Sequence, residues 1–413
     1  MVSHSLEKMK DLDRKDPLRE KRKEFSLPKG KIYLDGNSLG CLPKATVTRV
    51  NDVVTWEWGE DLITSWNKAE WINLPARVGE QIARLIGAKA DEVVAADSTS
   101  VNLFKVLSAA LKMQSGRTKI ISEKGNFPTD LYMMQGLIEQ LGGQHELVMV
   151  DDDKVLDHLD DDVAVLSLTH VNYKSGQFYD MAAITKAAQD KGIMVIWDLS
   201  HSAGALPVDL NGANADFAVG CGYKYLNGGP GAPAFLYVAS RHHDKAQPPL
   251  SGWMGHAAPF EFDRDYRPAD GIKRHLCGTP PVIGMSALEE SLKVFDDVDM
   301  KKLRKKSVAL TDLFIALVEE KCADYGFELA SPREASVRGS QVSFSHKDGF
   351  AIMQALIDHG VVGDFRAPDI VRFGFTPLYV GYEDVWNAVL ILEKIMKKDI
   401  WKQDKYHVKS AVT

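Results

Sequence analysis

The feature of this chain that most constrains its fold is a repeated alternation of short, continuously apolar segments with longer segments of helical spacing. Residues 163–168 and 193–197 are almost entirely apolar, which is typical of strands buried inside a parallel sheet. Segments with helical spacing, at 101–111 and 182–191, lie between such strands. Strands that alternate with helices form βαβ units, so the sequence predicts an α/β fold with a mostly parallel, helix-covered sheet.

The pattern changes after about Pro281, where two helices are followed by the short strands and helices of a small α+β unit. We therefore predict an N-terminal arm at 1–30, a large domain at 31–285 and a smaller C-terminal α+β domain at 286–413. The arm is charged and lacks the apolar segment of a signal peptide, so we expect none. The predicted strands of the large domain are residues 92–96, 118–121, 147–150, 163–168, 193–197, 217–219 and 234–238.

The charge and cysteine content narrow the class of protein. With 50 Lys and Arg residues against 57 Asp and Glu residues, the net charge is −7, so no overall electrostatic attraction draws the chain to nucleic acid or anionic membranes. No apolar run approaches the roughly 18 residues that span a bilayer. The four cysteines form no CxxC pair and the histidines no metal triad. We expect a cytoplasmic protein with reduced thiols, no metal site, and no nucleic-acid or membrane partner.

Two chemically useful side chains follow predicted strands. Asp198 follows the strand at 193–197, and Lys224 lies on the glycine-rich loop after the strand at 217–219. Ligands of open α/β sheets bind at the carboxyl ends of the strands, where a partly desolvated lysine can form a Schiff base. A carboxylate nearby suits the pyridinium nitrogen of pyridoxal phosphate. Taken singly, Lys224 would be a solvated loop residue, Asp198 a helix cap and His201 a packed histidine; their order on successive strands favours a site.

The pattern Asp198-x-x-His201, followed by Tyr223 and Lys224 in the segment YKYLNGG, resembles the active site of the kynureninase family. Members of this family are fold-type I pyridoxal phosphate enzymes related to class V aminotransferases. Five further segments match the family in order: LDGNSLG at 34–40, FPTD at 127–130, GWMGH at 252–256, GTPP at 278–281 and RFGFTPLY at 372–379. The resemblance therefore covers nearly the whole chain. The tyrosine before the lysine separates it from cysteine desulfurases, which tend to carry His-Lys there.

The resemblance implies a seven-stranded sheet of the fold-type I kind, with pyridoxal 5'-phosphate as cofactor. Lys224 resembles the lysine that binds the cofactor and takes the substrate Cα proton, and Asp198 the partner of the ring nitrogen. Other residues that resemble cofactor contacts are Thr99, Ser100, His201 and Tyr223 at the phosphate, Phe127 stacked on the ring, and Asp130 and Thr169 beside it. The short hydroxyls before residue 101 suit an anion site at a helix start, and an ordinary N-cap is compatible with this role.

The resemblance also implies a homodimer with shared active sites, because Trp253 and Thr279 match residues that reach the neighbouring subunit's cofactor. The family often has Asn at the position of Thr279, and both side chains can donate to phosphate. Arg372, assisted by Asn37, would bind the substrate α-carboxylate, a bidentate task that suits arginine. Without the resemblance, Trp253 would be a packing residue, Thr279 a turn residue and Arg372 a strand-edge ion pair.

The activity implied is the hydrolysis of L-kynurenine, or of 3-hydroxykynurenine, to L-alanine and anthranilate, or 3-hydroxyanthranilate, in tryptophan catabolism. Tyr223 would act as general acid besides contacting phosphate; otherwise it would be a buried phenol bonded to a backbone carbonyl. A class V transaminase or desulfurase on the same scaffold is the nearest alternative. A binding protein without turnover is the alternative from another class, and the intact set of Asp198, Tyr223, Lys224 and Arg372 argues against it.

Overall fold

The computed structural model of the protein describes residues 4–408, which divide into two units. The large unit comprises Thr46–Asn172 and Tyr179–Lys293, and the small unit comprises residues 4–45, 173–178 and 294–408. The α-helices are α1 (Leu6–Lys15), α2 (Lys44–Asp52), α3 (Ser65–Lys68), α4 (Leu74–Leu85), α5 (Thr99–Met113), α6 (Pro128–Gln140), α7 (Met181–Gln189), α8 (Val282–Leu292), α9 (Met300–Lys321), α10 (Gly349–Asp358) and α11 (Tyr382–Lys397).

The β-strands are β1 (Ile32–Tyr33), β2 (Val93–Ala95), β3 (Lys119–Glu123), β4 (Glu146–Val150), β5 (Val163–Thr169), β6 (Met194–Asp198), β7 (Phe217–Gly220), β8 (Phe235–Val238), β9 (Glu328–Leu329), β10 (Gln341–Ser345), β11 (Val361–Val362), β12 (Asp364–Arg366) and β13 (Ile370–Gly374). The large unit contains a seven-stranded sheet in the order β2-β8-β7-β6-β5-β3-β4. Strands β3 to β7 run parallel, whereas β8 is antiparallel to both β7 and β2. The predicted α/β fold with a mostly parallel sheet is confirmed.

The centre of this sheet is apolar because its strands are covered on both faces. Every residue of β5 is buried, as are all of β7 and β8. Helix α5 contributes one long buried face to the core beneath the sheet. Because parallel strands end at the same edge of a sheet, the last residues of β3, β5 and β6, which are Glu123, Thr169 and Asp198, come together at one edge.

The small unit is built on a four-stranded antiparallel sheet in the order β12-β13-β10-β9. A second, two-stranded sheet pairs β1 with β11 in parallel. Helix α1 packs on α11, and the Asp13 carboxylate accepts hydrogen bonds from the backbone N–H groups of Tyr382 and Glu383, at 2.7 and 2.9 Å. That carboxylate satisfies N–H groups of the first turn of α11, which have no partner inside the helix.

The two units differ from the predicted division at 30 and 285. Residues 4–45 belong to the small unit, and so does the short segment Tyr173–Phe178. The physical reason is pairing between distant segments: Ile32 lies opposite Val361, and Asp13 caps α11. A strand of two residues has no periodicity that a sequence pattern could reveal. Within residues 4–408, no helix is both long and apolar enough to cross a membrane.

Candidate active site

Lys224 lies on a tightly folded loop after β7. A side chain at Gly222 would place its Cβ 2.3 Å from the Pro233 carbonyl oxygen, so only glycine fits there. The Gly228 N–H donates to the Gly222 carbonyl at 2.9 Å, and Asn227 takes a left-handed backbone with φ of 59°. The loop therefore folds back on itself and holds Lys224 at the carboxyl edge of the sheet.

The Lys224 amine is surrounded by predicted site residues. Its Nζ lies 2.9 Å from His201 Nε2 and 5.8 Å from the ring centroids of both Phe127 and Tyr223. His201 follows β6, the neighbour of β7, and is buried. Phe127 is 36% exposed directly before α6, so it presents its ring at the surface of the site instead of packing in the core. The structure thus brings together four of the predicted site residues.

Asp198 and Asp130 form a buried carboxyl pair at the same edge. Asp198 Oδ1 accepts a hydrogen bond from the Ser200 N–H at 2.7 Å, and its carboxyl is hydrogen-bonded to that of Asp130. Burial raises the pKa of Asp130 well above its ordinary value, and the negative charges of Asp198 and Glu123 raise it further. A raised pKa favours the protonated form, so Asp130 can share its proton with Asp198 through this hydrogen bond.

Glu123 is a buried acid beneath this pair that the sequence reasoning missed. Its Oε1 accepts from the Thr169 N–H at 3.0 Å, and burial raises its pKa to about 8. Thr169 lies opposite Asp198 in the register of β5 and β6, and its hydroxyl donates to Asn126 Oδ1. The signal that was available is a charged residue at the carboxyl end of a strand that is otherwise apolar at its centre, the same signal that identified Asp198.

Thr99 and Ser100 are the first two residues of α5. The Ser98 hydroxyl caps the helix by accepting from the Val101 N–H at 3.4 Å. The N–H groups of a first helical turn have no partner inside the helix and lie at the positive end of its dipole, so they can bind an anion. Capping by Ser98 and anion binding by Thr99 and Ser100 are therefore compatible.

Trp253 and Thr279 lie on two adjoining surface segments of the large unit. The Met254 N–H donates to the Cys277 carbonyl at 3.1 Å, which ties the two segments together. Thr279 is exposed and Trp253 is 37% exposed, with its ring edge-on to Phe260 at 5.6 Å. Neither side chain is a core packing residue, and both are accessible at the surface of this chain.

Asn37 and Arg372 meet in the small unit. Arg372, on β13, is 1% exposed and donates from Nη2 to Asp364 Oδ2 at 2.5 Å and to Ser38 Oγ at 2.8 Å. With its amide oriented to satisfy both groups, Asn37 accepts from Arg372 Nε at 3.2 Å and donates to Asp35 Oδ1 at 3.2 Å. Arg372 thus forms the strand ion pair considered as an alternative, and this pair fixes its guanidinium.

Two acids in this cluster were not assigned from the sequence, although Asp35 lies in the segment LDGNSLG at 34–40. Asp364 is the register partner of Arg372 across β12 and β13. The pKa of Asp35 is raised to about 7, mainly by burial and also by the charge of Asp364, whereas Arg372 opposes the change. Gly374 makes room for Asn37, because a Cβ there would lie 1.9 Å from the end of the Asn37 side-chain amide.

The donor set of the large unit fits pyridoxal phosphate. The aldehyde of that molecule matches the Lys224 amine, its ring nitrogen matches the buried carboxyl pair, and its phosphate matches the N-terminus of α5. Within residues 4–408, no group of three or more His, Cys, Asp or Glu side chains is arranged to hold a metal ion.

Comparisons with known proteins identify relatives over nearly the whole chain. The kynureninase C-terminal domain family matches residues 303–392. A kynureninase from Burkholderia mallei (strain SAVP1) is 53% identical over 407 residues, which cover 97% of this chain and 98% of that protein. The solved structure of an apo cysteine desulfurase from Thermococcus onnurineus NA1 has a TM-score of 0.76 at 21% identity and covers 96% of this chain and 100% of that one. A C-DES mutant with glycine covalently linked to its PLP cofactor has a TM-score of 0.77 at 17% identity, with coverages of 90% and 98%.

The seven-stranded sheet and the lysine loop at its carboxyl edge define a pyridoxal-phosphate-dependent enzyme of fold type I. Within that class the desulfurase shares only the fold, at 21% identity. The chain belongs to the kynureninase family, because it is 53% identical to a kynureninase over 97% of its length. The family predicted from the motifs is confirmed.

Proposed function

We propose that this chain hydrolyses the Cβ–Cγ bond of L-kynurenine, or of 3-hydroxykynurenine, as a step of the tryptophan catabolism that also feeds NAD synthesis. The observation that carries the proposal is the Lys224 amine at the end of β7, preceded by Tyr223 and 2.9 Å from His201 Nε2. Family membership supports the same reaction. In it, the oxygen of water ends in the carboxylate of anthranilate or 3-hydroxyanthranilate, and Cβ gains a proton and becomes the methyl group of L-alanine.

The residues at the carboxyl edge of the sheet would hold pyridoxal 5'-phosphate. When bound, this cofactor supplies an electron sink for the bonds at the substrate Cα and Cβ. Phosphate would be bound by the first turn of α5 and by the loops after β6 and β7, whereas the ring would lie against Phe127 with its nitrogen on Asp198. The assigned residues are Thr99, Ser100, His201 and Tyr223 for phosphate, and Phe127, Asp130, Thr169 and Asp198 for the ring.

Lys224 is proposed to bind the cofactor covalently and, as a free amine, to take the proton from the substrate Cα. Proton transfer needs a partner within hydrogen-bond reach of the base. His201 Nε2, at 2.9 Å from Nζ, is placed to exchange a proton with it. His201 would therefore serve the lysine as well as the phosphate.

Asp198 is proposed to hold a proton on the ring nitrogen. Burial raises the pKa of Asp130, so the proton of the hydrogen bond between the two carboxyls stays on Asp130. Asp198 then accepts that hydrogen bond and can also accept one from the ring nitrogen. Glu123, which burial also tends to protonate, adds little charge beneath the pair at neutral pH.

Tyr223 is proposed as the general acid that delivers a proton to the cleaved carbon. Its ring centroid lies 5.8 Å from Lys224 Nζ, so the phenol belongs to the same cluster as the proposed base.

Arg372 and Asn37 are proposed to bind the α-carboxylate. The ion pair with Asp364 and the hydrogen bonds to Ser38 and to the Tyr173 carbonyl hold the Arg372 guanidinium in one orientation.

The proposal includes a homodimer in the cytoplasm whose subunits complete each other's sites through Trp253 and Thr279. Phe260 and Phe262 extend the aromatic surface around Trp253 and are 56% and 75% exposed. Exposed aromatic residues are typical of interface cores, which supports an interface at this surface. All four cysteines are free thiols, which fits a reducing compartment.

The experiment that tests the proposal is product analysis after the purified protein is mixed with pyridoxal phosphate and L-kynurenine. We expect the fluorescence of anthranilate and an equal amount of L-alanine, without any added keto acid. A requirement for a keto acid would indicate a transaminase, and sulfide release from cysteine would indicate a desulfurase. Parallel assays with 3-hydroxykynurenine would rank the two substrates.

A further inference from the structure

Lys105 is a lysine in the interior of α5 whose side chain is 0% exposed. Its Nζ forms an ion pair with the Asp97 carboxylate and donates a hydrogen bond to the His275 carbonyl oxygen at 2.7 Å. A buried ammonium group is costly unless such partners compensate it, so both contacts are required by its position. The chain therefore keeps a fixed positive charge beneath the start of α5.

Asp97 places a negative charge next to the proposed phosphate site. It precedes the cap residue Ser98 and so lies two positions before Thr99, with a left-handed backbone at φ of 47°. Its carbonyl accepts from the Ala234 N–H at 2.9 Å, which anchors this turn to the sheet edge. Unless it is neutralised, a carboxylate next to the phosphate site would repel a dianionic phosphate and weaken its binding.

The second partner of Lys105 lies close in the chain to Thr279, another predicted cofactor contact. His275 ends a short 3-10 helix, Gly271–His275, four positions before Thr279. Burial, together with the positive charge of Lys105, lowers the pKa of the His275 ring to about 3. The ring is therefore neutral, and Lys105 donates to the backbone carbonyl of His275. Lys105 thus connects the turn before α5 with the segment that carries Thr279.

We propose that Lys105 is a positioning residue for the cofactor phosphate: it neutralises Asp97 and holds the turn before α5 against the segment that leads to Thr279. The inference rests on the proposed function, because it needs phosphate at Thr99 and Ser100. Lys105 would thus influence phosphate binding through Asp97, without contacting the phosphate itself.

The test is the affinity of cofactor-free protein for pyridoxal phosphate, measured by quenching of tryptophan fluorescence. Lys105→Met should raise Kd at least about tenfold, because Asp97 then stays unneutralised beside the phosphate. The double variant Lys105→Met with Asp97→Asn should recover most of that loss. Pyridoxal, which lacks the phosphate, should bind both variants within about twofold of wild type. The matched control is Lys112→Met, which changes an exposed lysine on the same helix and should bind pyridoxal phosphate like wild type.

An equal loss of pyridoxal and pyridoxal phosphate, or a double variant no better than Lys105→Met, would overturn the inference, since either result means general loosening of the fold. Should Lys105→Met fail to fold, Asp97→Asn carries the test: it should bind pyridoxal phosphate at least as tightly as wild type, and a tenfold loss would contradict us. Wild-type protein that binds no pyridoxal phosphate would instead refute the proposed function itself.

Discussion

Lys224 Nζ and His201 Nε2 lie 2.9 Å apart at the carboxyl ends of two neighbouring parallel strands, β7 and β6. The two residues are 23 positions apart in the chain, and the parallel pairing of the strands brings them together. His201 was predicted at the phosphate, yet this contact also makes it a proton partner for the lysine. The most direct prediction concerns that lysine.

Lys224→Ala should abolish covalent attachment of the cofactor. Borohydride reduction of the wild-type holoenzyme should fix the cofactor to the protein, because reduction makes the link to Nζ permanent, and mass spectrometry should find the label on Lys224. The Lys224→Ala protein should lose its cofactor on denaturation after the same treatment. Lys186→Ala changes an exposed lysine and should behave like wild type. A label retained on Lys224→Ala would refute the assignment.

Tyr223→Phe should lower kcat far more than it raises KM. The phenol would donate its proton only as the cleaved carbon gains charge, and loss of a general acid costs on the order of 10²–10⁴ in rate. Steady-state kinetics should be measured at saturating pyridoxal phosphate, because the same change weakens the proposed phosphate contact. A Tyr223→Phe enzyme with near wild-type kcat would show that the proton comes from another group.

Arg372→Lys should mainly raise KM for every substrate. The guanidinium would bind the α-carboxylate in ground and transition states alike, and loss of a buried charged contact costs roughly 2–4 kcal/mol. Arg366→Lys is the matched control, because Arg366 contacts the same Asp364 at 2.7 Å but is 36% exposed. The two variants should differ in KM while both stay folded by circular dichroism. Equal KM values would remove Arg372 from the substrate site.

Two inactive variants should complement each other if the active sites are shared between subunits. Lys224→Ala and Trp253→Ala each break every site of their own homodimers. In a mixed dimer, one site combines an intact Lys224 with the partner's intact Trp253, so refolding an equal mixture should restore about a quarter of wild-type activity. Sedimentation should show dimers throughout. A fully active monomer would contradict a shared site. If Trp253→Ala is inactive by itself, a mixture that also stays inactive would contradict it as well.

Glu123→Gln should make the stability of the protein less dependent on pH. Burial raises the pKa of Glu123 from 4.5 to about 8, so between these values the folded protein holds a proton that the unfolded chain has released. Its contribution to the free energy of unfolding is complete below the lower value and is lost as pH rises, by up to about 1.4 kcal/mol per pH unit. Urea unfolding between about pH 5 and 8 should therefore show a shallower decline in the variant than in wild type.

Exposed Glu146 at the start of β4 provides the control for this measurement. Glu146→Gln removes the same kind of charge from the surface and should leave the decline with pH unchanged. Identical pH dependence of wild type and Glu123→Gln would mean that Glu123 is ionised in the folded protein.

Local sequence was sufficient to predict a mostly parallel sheet and two of the residues at its edge. Continuous apolar segments such as 163–168 must be buried on both sides, which requires helices on both faces of a parallel sheet. Because parallel strands share one carboxyl edge, the positions of Asp198 and Lys224 directly after strands already indicated a common site. The kynureninase motifs, which are also local, then identified the family.

Tertiary structure alone decided which acids are paired and which segments share a unit. No local pattern connects the residues of three such pairs. They are the hydrogen-bonded Asp130 and Asp198, the register partners Asp364 and Arg372, and the hydrogen-bonded Lys105 and His275. Likewise, β1 belongs with β11 because of pairing between the two ends of the chain. The physical reason is that periodicity records only which face of an element is buried, whereas strand register and burial of charge depend on what packs against that face.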